Sequence, residues 1–472
     1  MLPGITEELI GRQSPEAQAI IRLLLTEITA LRNEVTALRE EVVRLKRTPR
    51  NSSRPPSTEH PHAKPAPPPV RGVRKSGGQP GHDKHARALL PTAQCDDVRE
   101  HRPVACRRCG TKLSGTDPQP LRQQVYEFPE IHLHVTEHRR HRLTCRGCGE
   151  STCAAPPTGV PSGQAGSRLT ALIGLLMAHF RQSKRRTALF LEACLNFPCS
   201  SGWIVKVQQQ VSAAVQPVYD ELVAALPTQS RLGIDESPTK EGRRKAWQWT
   251  FVADQFTVFA HRLSRSGDVL DELLTGRFRG VVTCDRARMY WRLPTLQWCW
   301  SHLKRDFQAL VDSGVAVARK LGRKLLDQTR ILFRQWSRCR DGTITRAGLK
   351  SSLGGTRQET ARLLQRGLKC RHDRTSEVCR ELSWHQPRLW AFLDHPGVEP
   401  TNNASERALR HGVIWRKLSF GTQSAHGSRF VERLLTVIES CRQQGRDLFA
   451  FLVATITAHL HHVTPPSLVT GV

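Results

Sequence analysis

Three carboxylates stand out for where they fall. Asp235 follows the apolar run RLGI, Asp285 follows GVVTC, and Glu406 lies one turn into TNNASERALR, which reads as the start of a helix. The chain carries 71 Lys and Arg against only 42 Asp and Glu, so an acid at the end of an apolar strand is informative. Carboxylate oxygens are the ligands that hard divalent cations take. Each acid also has an ordinary explanation. Asp235 and Asp285 could close strand turns, and Glu406 could be the N3 member of a capping box with Asn403 as N-cap. Glu236 is the wrong choice for the first acid, because alternation along a strand points it away from the face of Asp235.

A second set is sulfur. Cys106-x-x-Cys109 and Cys145-x-x-Cys148 each place two thiolates on a tight knuckle, with Gly110 and Gly149 just after. Two knuckles supply four soft ligands for one tetrahedral, structural zinc ion. His101, Cys95 and Cys153 rank below them as substitute ligands. Cys299-Trp-Ser-His302 could also touch metal, but two ligands are not a site; the pair is kept as a candidate support of the acids. The ordinary explanation is a buried Cys and a hydrogen-bonded His.

These groups need elements to position them. RLGIDES reads as a short strand, AWQWTFVAD and QFTVFAHRL as a hairpin, DVLDELLTG as a helix and GVVTCD as another strand. Strand with Asp, two strands, helix, strand with Asp, long insert and helix with Glu is the order of a ribonuclease H-like fold. Asp306 to Pro396 is helical and Arg-rich and forms the insert. Upstream, KRRTALFLEACLNF, a PCSSG break and WIVKVQQQVSAAVQPVYDELVAAL resemble a helix-turn-helix. Ile204, Val207, Val211, Val215, Val218 and Leu222 form its apolar stripe; Lys206, Gln208, Gln209 and Gln210 could face a DNA groove. RKLSFGTQSAHGSR reads as a basic loop whose Arg416, Lys417 and Arg429 could hold DNA. Between the knuckles, VYEFPEIHLHV alternates well enough for strands.

The N-terminal segment is a heptad repeat, with Ile21, Ile28, Val35 and Val42 at a and Leu24, Leu31, Leu38 and Leu45 at d. β-Branched a residues with Leu at d favour a parallel pair. Glu27, Glu34 and Glu41 at g face Arg32, Arg39 and Lys46 at e of a partner, so a homodimer is expected. The stretch after it is rich in Pro, Gly and basic residues and has too few apolar residues for a core.

These motifs together resemble the insertion sequence 66 family of bacterial DDE transposases. The resemblance runs over nearly the whole chain: NSSRPPS and KSGGQPGH, the CxxC pairs, GIDES, CWSHLKRDF and, most specifically, NNASERALR. Ser237 stands where the family usually has Thr, and Asp285 is followed by Arg286, with Tyr only at Tyr290. The resemblance implies that Asp235, Asp285 and Glu406 hold two Mg²⁺ (or Mn²⁺) ions, Asp235 bridging both. Two such ions ~4 Å apart stabilise the attacking and leaving oxygens of phosphodiester transfer. Water would cut the element end, and the freed 3′-hydroxyl would then attack target DNA. Accessory proteins of the same element are implied as partners.

The expected architecture is multidomain α+β. It has a coiled-coil dimerisation segment (1–47), a basic Pro/Gly-rich linker (48–93), a zinc ribbon (94–156) and a helix-turn-helix-like region (160–228). A ribonuclease H-like DDE catalytic domain (229–430, helical insertion about 306–396) and a C-terminal helical segment (431–472) follow. A net charge of +29 fits double-stranded DNA as partner. No run reaches the ~18 apolar residues of a membrane span. No signal peptide is read, and CxxC pairs suit a reducing compartment, so a bacterial cytoplasmic, nucleoid-associated protein is expected. The rivals are an inactive transposase-derived regulator and a ribonuclease H-like nuclease that cuts without joining.

Overall fold

The computed structural model describes residues 7–45 and 87–469. The linker expected over 48–93 therefore lies mostly outside the described residues, as do Lys46 and the side chains of Arg39, Glu41 and Leu45. By internal contacts the chain divides into two compact units, residues 62–136 and the remainder.

In the larger unit, a short helix α1 (Glu7–Gly11) precedes α2 (Pro15–Leu45). Pro15 opens α2 at the position where its missing N–H is not needed, and Ser14 Oγ accepts the Ala17 N–H at 3.3 Å. The heptad residues Leu24, Leu31, Val35, Leu38 and Val42 are all exposed along it. Further on, Arg142–Thr144 (β1) and Ser151–Cys153 (β2) pair antiparallel around the second CxxC turn. The smaller unit contains the first CxxC turn, closed by a bridge between Ala105 and Lys112.

The strands expected in VYEFPEIHLHV do not form: residues 121–141 carry no strand. Val125, Phe128 and Val135 remain exposed. Alternation supplies a candidate face, but a strand also needs a pairing edge and something to pack against.

Three helices then lead into the sheet: α3 (Ser167–Ala178), α4 (Lys184–Leu195) and α5 (Ser201–Ala225). Ser183 and Ser200 cap α4 and α5 by accepting the N–H groups of Arg186 and Trp203. The α5 stripe from Ile204 to Leu222 is buried. Gly174 lets α3 cross close to it, since a Cβ there would lie 2.9 Å from Val211.

The sheet has β3 (Arg231–Glu241), β4 (Arg244–Val252), β5 (Thr257–Arg262), β6 (Val281–Cys284) and β7 (Thr295–Trp298) in the order β5-β4-β3-β6-β7. β3, β4 and β5 form an antiparallel meander, while β6 runs parallel to β3 and β7 parallel to β6. α6 (Asp268–Leu274) supplies the connection from β5 to β6. Two features exceed the sequence expectation. β3 continues to Glu241 instead of ending near Ser237, because its second half pairs with Arg244–Gln248. The short β7 was not anticipated; its four residues TLQW give little periodic signal.

Beyond the sheet come α7 (Trp300–Val311) and a helical insert: α8 (Ala316–Arg340), α9 (Arg346–Ser352), α10 (Gly354–Leu368), α11 (Asp373–Trp384) and α12 (Pro387–Asp394). The chain returns through α13 (Asn403–Ser419), α14 (Ala425–Gln443) and α15 (Leu448–Leu460). The basic loop expected over RKLSFGTQSAHGSR shrinks to 420–424. Arg416–Ser419 complete α13, whose C-cap Phe420 is left-handed (φ 58°). Ala425–Arg429 open α14, where Ser424 Oγ accepts the Gly427 N–H.

α14 also covers the open edge of the sheet. Ser440, Thr436 and Glu432 are spaced by four residues and so share one helix face. Their oxygens accept the N–H groups of Thr257 (3.1 Å), Phe259 (2.9 Å) and His261 (2.8 Å) on edge strand β5. The edge is thereby closed to further strands.

Candidate functional site

β3 is the central strand, and its register places the first two acids side by side. Gly233 pairs with Thr283 on parallel β6, so two residues further Asp235 stands beside Asp285, just past the end of β6 at Cys284. The carboxylate of Asp285 is oriented by the Ala287 N–H (2.8 Å), and that of Asp235 accepts the Glu236 N–H (3.0 Å).

Glu406 arrives in the first turn of α13, which is fastened to β3 at both ends. Asn402 Nδ2 donates to Ile234 O at 2.7 Å. A Cβ on Gly233 would come within 2.3 Å of Ser405 Oγ, so glycine at that position admits the turn that carries Glu406. At the far end Arg416 donates to Pro238 O, and the Thr422 N–H donates to Lys240 O (2.9 Å). The capping-box explanation of Glu406 does not hold. The N-cap is Asn402, not Asn403, and it makes no side-chain cap. Its amide is turned to β3 instead, and Glu406 Oε1 has no hydrogen-bond partner.

Burial pushes the carboxyl of Asp235 well above the usual range, and the charges of Glu236, Asp285 and Glu406 push it further. Asp285 and Glu406 are also raised by burial; Arg265, Arg286 and Arg305 oppose this at Asp285, and Arg305, Arg407 and Arg410 at Glu406. Neighbouring buried carboxylates that disfavour each other's ionisation are relieved by cations. The all-oxygen donor set and the unpartnered Oε1 of Glu406 fit hard divalent ions. Among the described residues the three acids do not gather their oxygens within 4.8 Å of one another.

Glu236, expected to point away from the acids, stays close enough that its charge raises Asp235 and the charge of Asp285 raises it in turn. It is buried, receives the Tyr290 hydroxyl, and is held by Arg265 at 2.8 and 2.6 Å. Burial raises its carboxyl to about 7. Tyr290 and Arg265 were missed as partners, and no local spacing connects them to Glu236.

The CWSHLKRDF run proves to be one wall of the site. Cys299 caps α7 and accepts the Asn402 N–H on Sγ at 3.2 Å. His302, one turn on, places Nδ1 3.6 Å from Glu406 Oε1. Burial, with Arg305 and Arg286 nearby, drives the imidazole down to about 3, and burial pushes the Cys299 thiol up to about 11. Arg286 ties the end of β6 to this wall and to the insert through Asp306 (2.9 Å) and Glu381 (2.7 Å).

The two CxxC turns fall in different units. They fold alike. The N–H groups of Cys106 and Cys145 donate to the carbonyls of Thr111 (2.9 Å) and Glu150 (2.7 Å). The N–H groups of Gly110 and Gly149, both at φ 75°, donate back to the carbonyls of Cys106 and Cys145 at 2.9 Å. The Thr111 hydroxyl and N–H lower the Cys109 thiol to about 7, and the N–H groups of Cys148 and Gly147 lower Cys145. A lowered thiol forms its thiolate more readily.

Of the residues expected to touch DNA, Lys206, Gln209 and Lys417 are exposed. Arg416 is half-buried on β3, and Arg429 donates to His261 O (2.9 Å) and pairs with Glu432 (2.7 Å). No helix among the described residues is long and apolar enough to cross a membrane.

A sequence model of the Transposase IS66 family matches residues 162–429, more than half of the chain. A second, of a family of unknown function (DUF6444), matches residues 7–88. Three uncharacterized proteins of Sinorhizobium fredii (strain NBRC 101917 / NGR234) are similar at 24% identity. For y4qI the alignment covers 70% of this chain and 66% of the relative. For y4hP the figures are 78% and 73%, and for y4jD 68% and 68%.

Proposed function

The chain belongs to the Transposase IS66 family, and from that premise we propose that it is a DDE-type transposase that cuts the ends of its element and joins the 3′ ends to target DNA. The observation that carries the mechanism is the convergence of Asp235, Asp285 and Glu406 from the central strand, its parallel neighbour and a helix anchored on that strand. The sheet order β5-β4-β3-β6-β7 supports the ribonuclease H-like reading of the core.

Asp235, Asp285 and Glu406 would hold two Mg²⁺ (or Mn²⁺) ions. Such a pair, when bound, supplies charge stabilisation to both the entering and the departing oxygen. The chain's own contribution is positional. β3 and β6 set the two aspartates in register, Asn402 and Gly233 seat Glu406 against them, and Arg265, Arg286 and Arg305 temper the negative charge. Double-stranded DNA would be held over the site by phosphate contacts, which set affinity rather than sequence. Lys206, Gln209 and Lys417 are the exposed candidates; Arg416 and Arg429 would contribute only donors not already engaged. A parallel coiled-coil homodimer, one structural zinc at Cys106, Cys109, Cys145 and Cys148, and accessory proteins of the element complete the proposal, with the bacterial cytoplasm and its nucleoid as the place of action.

The test is end cleavage and joining with Mg²⁺ by the full-length protein. Asp235→Asn, Asp285→Asn and Glu406→Gln preserve size but remove a charged ligand. Cleavage should fall on the order of 10³-fold, the scale of several kcal/mol of lost charge stabilisation, while the melting temperature and DNA binding persist. Glu236→Gln should cut far better than these three. If Asp235→Asn and Glu406→Gln cut like the parent, the mechanism is wrong; cleavage without joining would point to a nuclease instead.

A further inference from the structure

Cys299 and His302 are two candidate ligands one helical turn apart, and the fold adds a third. Cys299 Sγ, a ring nitrogen of His302 and a carboxylate oxygen of Glu406 all lie within 4.8 Å of one another, the one such group of three among the described residues. We infer that these three side chains form a binding site for a borderline-soft divalent ion, Zn²⁺ above all, that competes with the Mg²⁺ site for Glu406. The inference rests on the reading of Glu406 as an acid of the transposase site.

Two independent observations point to a ligand there. The His302 side chain is 12% exposed, yet its buried Nδ1 has no hydrogen-bond partner, and the buried Oε1 of Glu406 also lacks one. A buried polar atom without a partner is costly unless something occupies its lone pair. The spacing also suits an ion. Zinc takes imidazole nitrogen and carboxylate oxygen at about 2.0–2.2 Å, so two such ligands at a tetrahedral angle stand roughly 3.4 Å apart. His302 Nδ1 and Glu406 Oε1 are 3.6 Å apart.

The donor set selects the ion. Thiolate, imidazole and carboxylate suit Zn²⁺, whereas Mg²⁺ prefers oxygen donors and six-coordination. The Asn402 N–H already points at Cys299 Sγ (3.2 Å), and a donor so placed stabilises a metal-bound thiolate without leaving its post. Three protein ligands leave the fourth tetrahedral position to water. Occupation would draw Oε1 of Glu406 toward α7 and away from the aspartates. Zn²⁺ would thus switch the acid cluster off without entering the Mg²⁺ positions.

The experiment uses the full chain, with its zinc content as purified taken as the baseline. Added Zn²⁺ is titrated against a chromophoric competitor, and Co²⁺ is titrated in parallel for its thiolate charge-transfer band. The parent should take one equivalent beyond the baseline and develop the band. Cys299→Ala should lose the band, and Cys299→Ala, His302→Ala and Glu406→Gln should each bind the extra Zn²⁺ roughly tenfold or more weakly, the least expected for losing a ligand. Cys299→Ser and His302→Gln replace either alanine variant that melts below the assay temperature. Mg²⁺-dependent end cleavage forms a second arm. Zn²⁺ should inhibit the parent, and Cys299→Ala, relative to its own zinc-free rate, should need roughly tenfold more. A folded parent that takes no extra equivalent, or variants that bind it as tightly as the parent, overturn the inference. The binding arm needs no cleavage, so a parent that binds the ion but cuts no DNA would remove the transposase reading and leave the site standing.

Discussion

At the scale of single residues, neighbours in sequence have unlike surroundings. Asp235 lies beside Asp285 and Glu406 with no cationic partner of its own among its main influences, while Glu236 is paired with Arg265 and receives the Tyr290 hydroxyl. His261 is a further case. It is buried on β5, both ring nitrogens lack partners, and burial, with Arg429 and Arg262 nearby and despite Glu241, lowers it to about 4. The sign follows from proton counting. The unfolded chain takes up a proton near pH 6.5 and the folded one only near 4, so stability is full above 6.5 and drains as pH falls toward 4. Between pH 6.5 and 5 the loss should be about 2 kcal/mol. Denaturant melts of the parent and His261→Phe at pH 7 and 5 measure it; the variant should lose less, and equal losses would remove His261 as the cause.

At the scale of elements, edge protection and the CxxC turns make the sharpest predictions. Thr436 Oγ1 accepts the Phe259 N–H across 177 residues of sequence. Thr436→Val keeps the shape but leaves that buried donor unsatisfied, so it should cost about 1–3 kcal/mol, whereas Thr436→Ser should cost less. Equal stability of Thr436→Val and parent would show that α14 does not close the β5 edge in this way. For the knuckles, elemental analysis of the purified chain should give one tightly held zinc, lost in both Cys106→Ser and Cys145→Ser but retained in Cys299→Ala. Zinc retained after either knuckle substitution would refute a shared four-cysteine site.

At the scale of the whole molecule, α2 presents Leu24, Leu31, Val35, Leu38 and Val42 to solvent along one seam. A row of exposed apolar residues at heptad spacing is covered most simply by a second copy of itself. Sedimentation of the full chain should give a dimer, and replacing Leu31 and Leu38 with Gln should shift it to monomer. A parent that sediments as a monomer at high concentration would defeat the proposal.

Local spacing determined a good deal by itself. The CxxC turns, the long α2, the buried stripe of α5, the strand that carries Asp235 and the strand-end position of Asp285 depend on periodicities of two to seven residues, which a sequence displays directly. The same short-range logic failed where the competing partner was distant. It offered a capping box with Asn403 as the ordinary explanation of Glu406, but Asn402 starts the helix and turns its amide to Ile234, 168 residues away. It expected strands in VYEFPEIHLHV, where alternation lacked a pairing edge, and ended β3 too early because the partner strand lies beyond the turn. The contact of His302 with Glu406 joins segments 104 residues apart, and only the packing of α7 and α13 around the central strand decided it. Hydrogen bonds and charges act over a few ångströms of space, and only the folded chain determines which distant residues come that close.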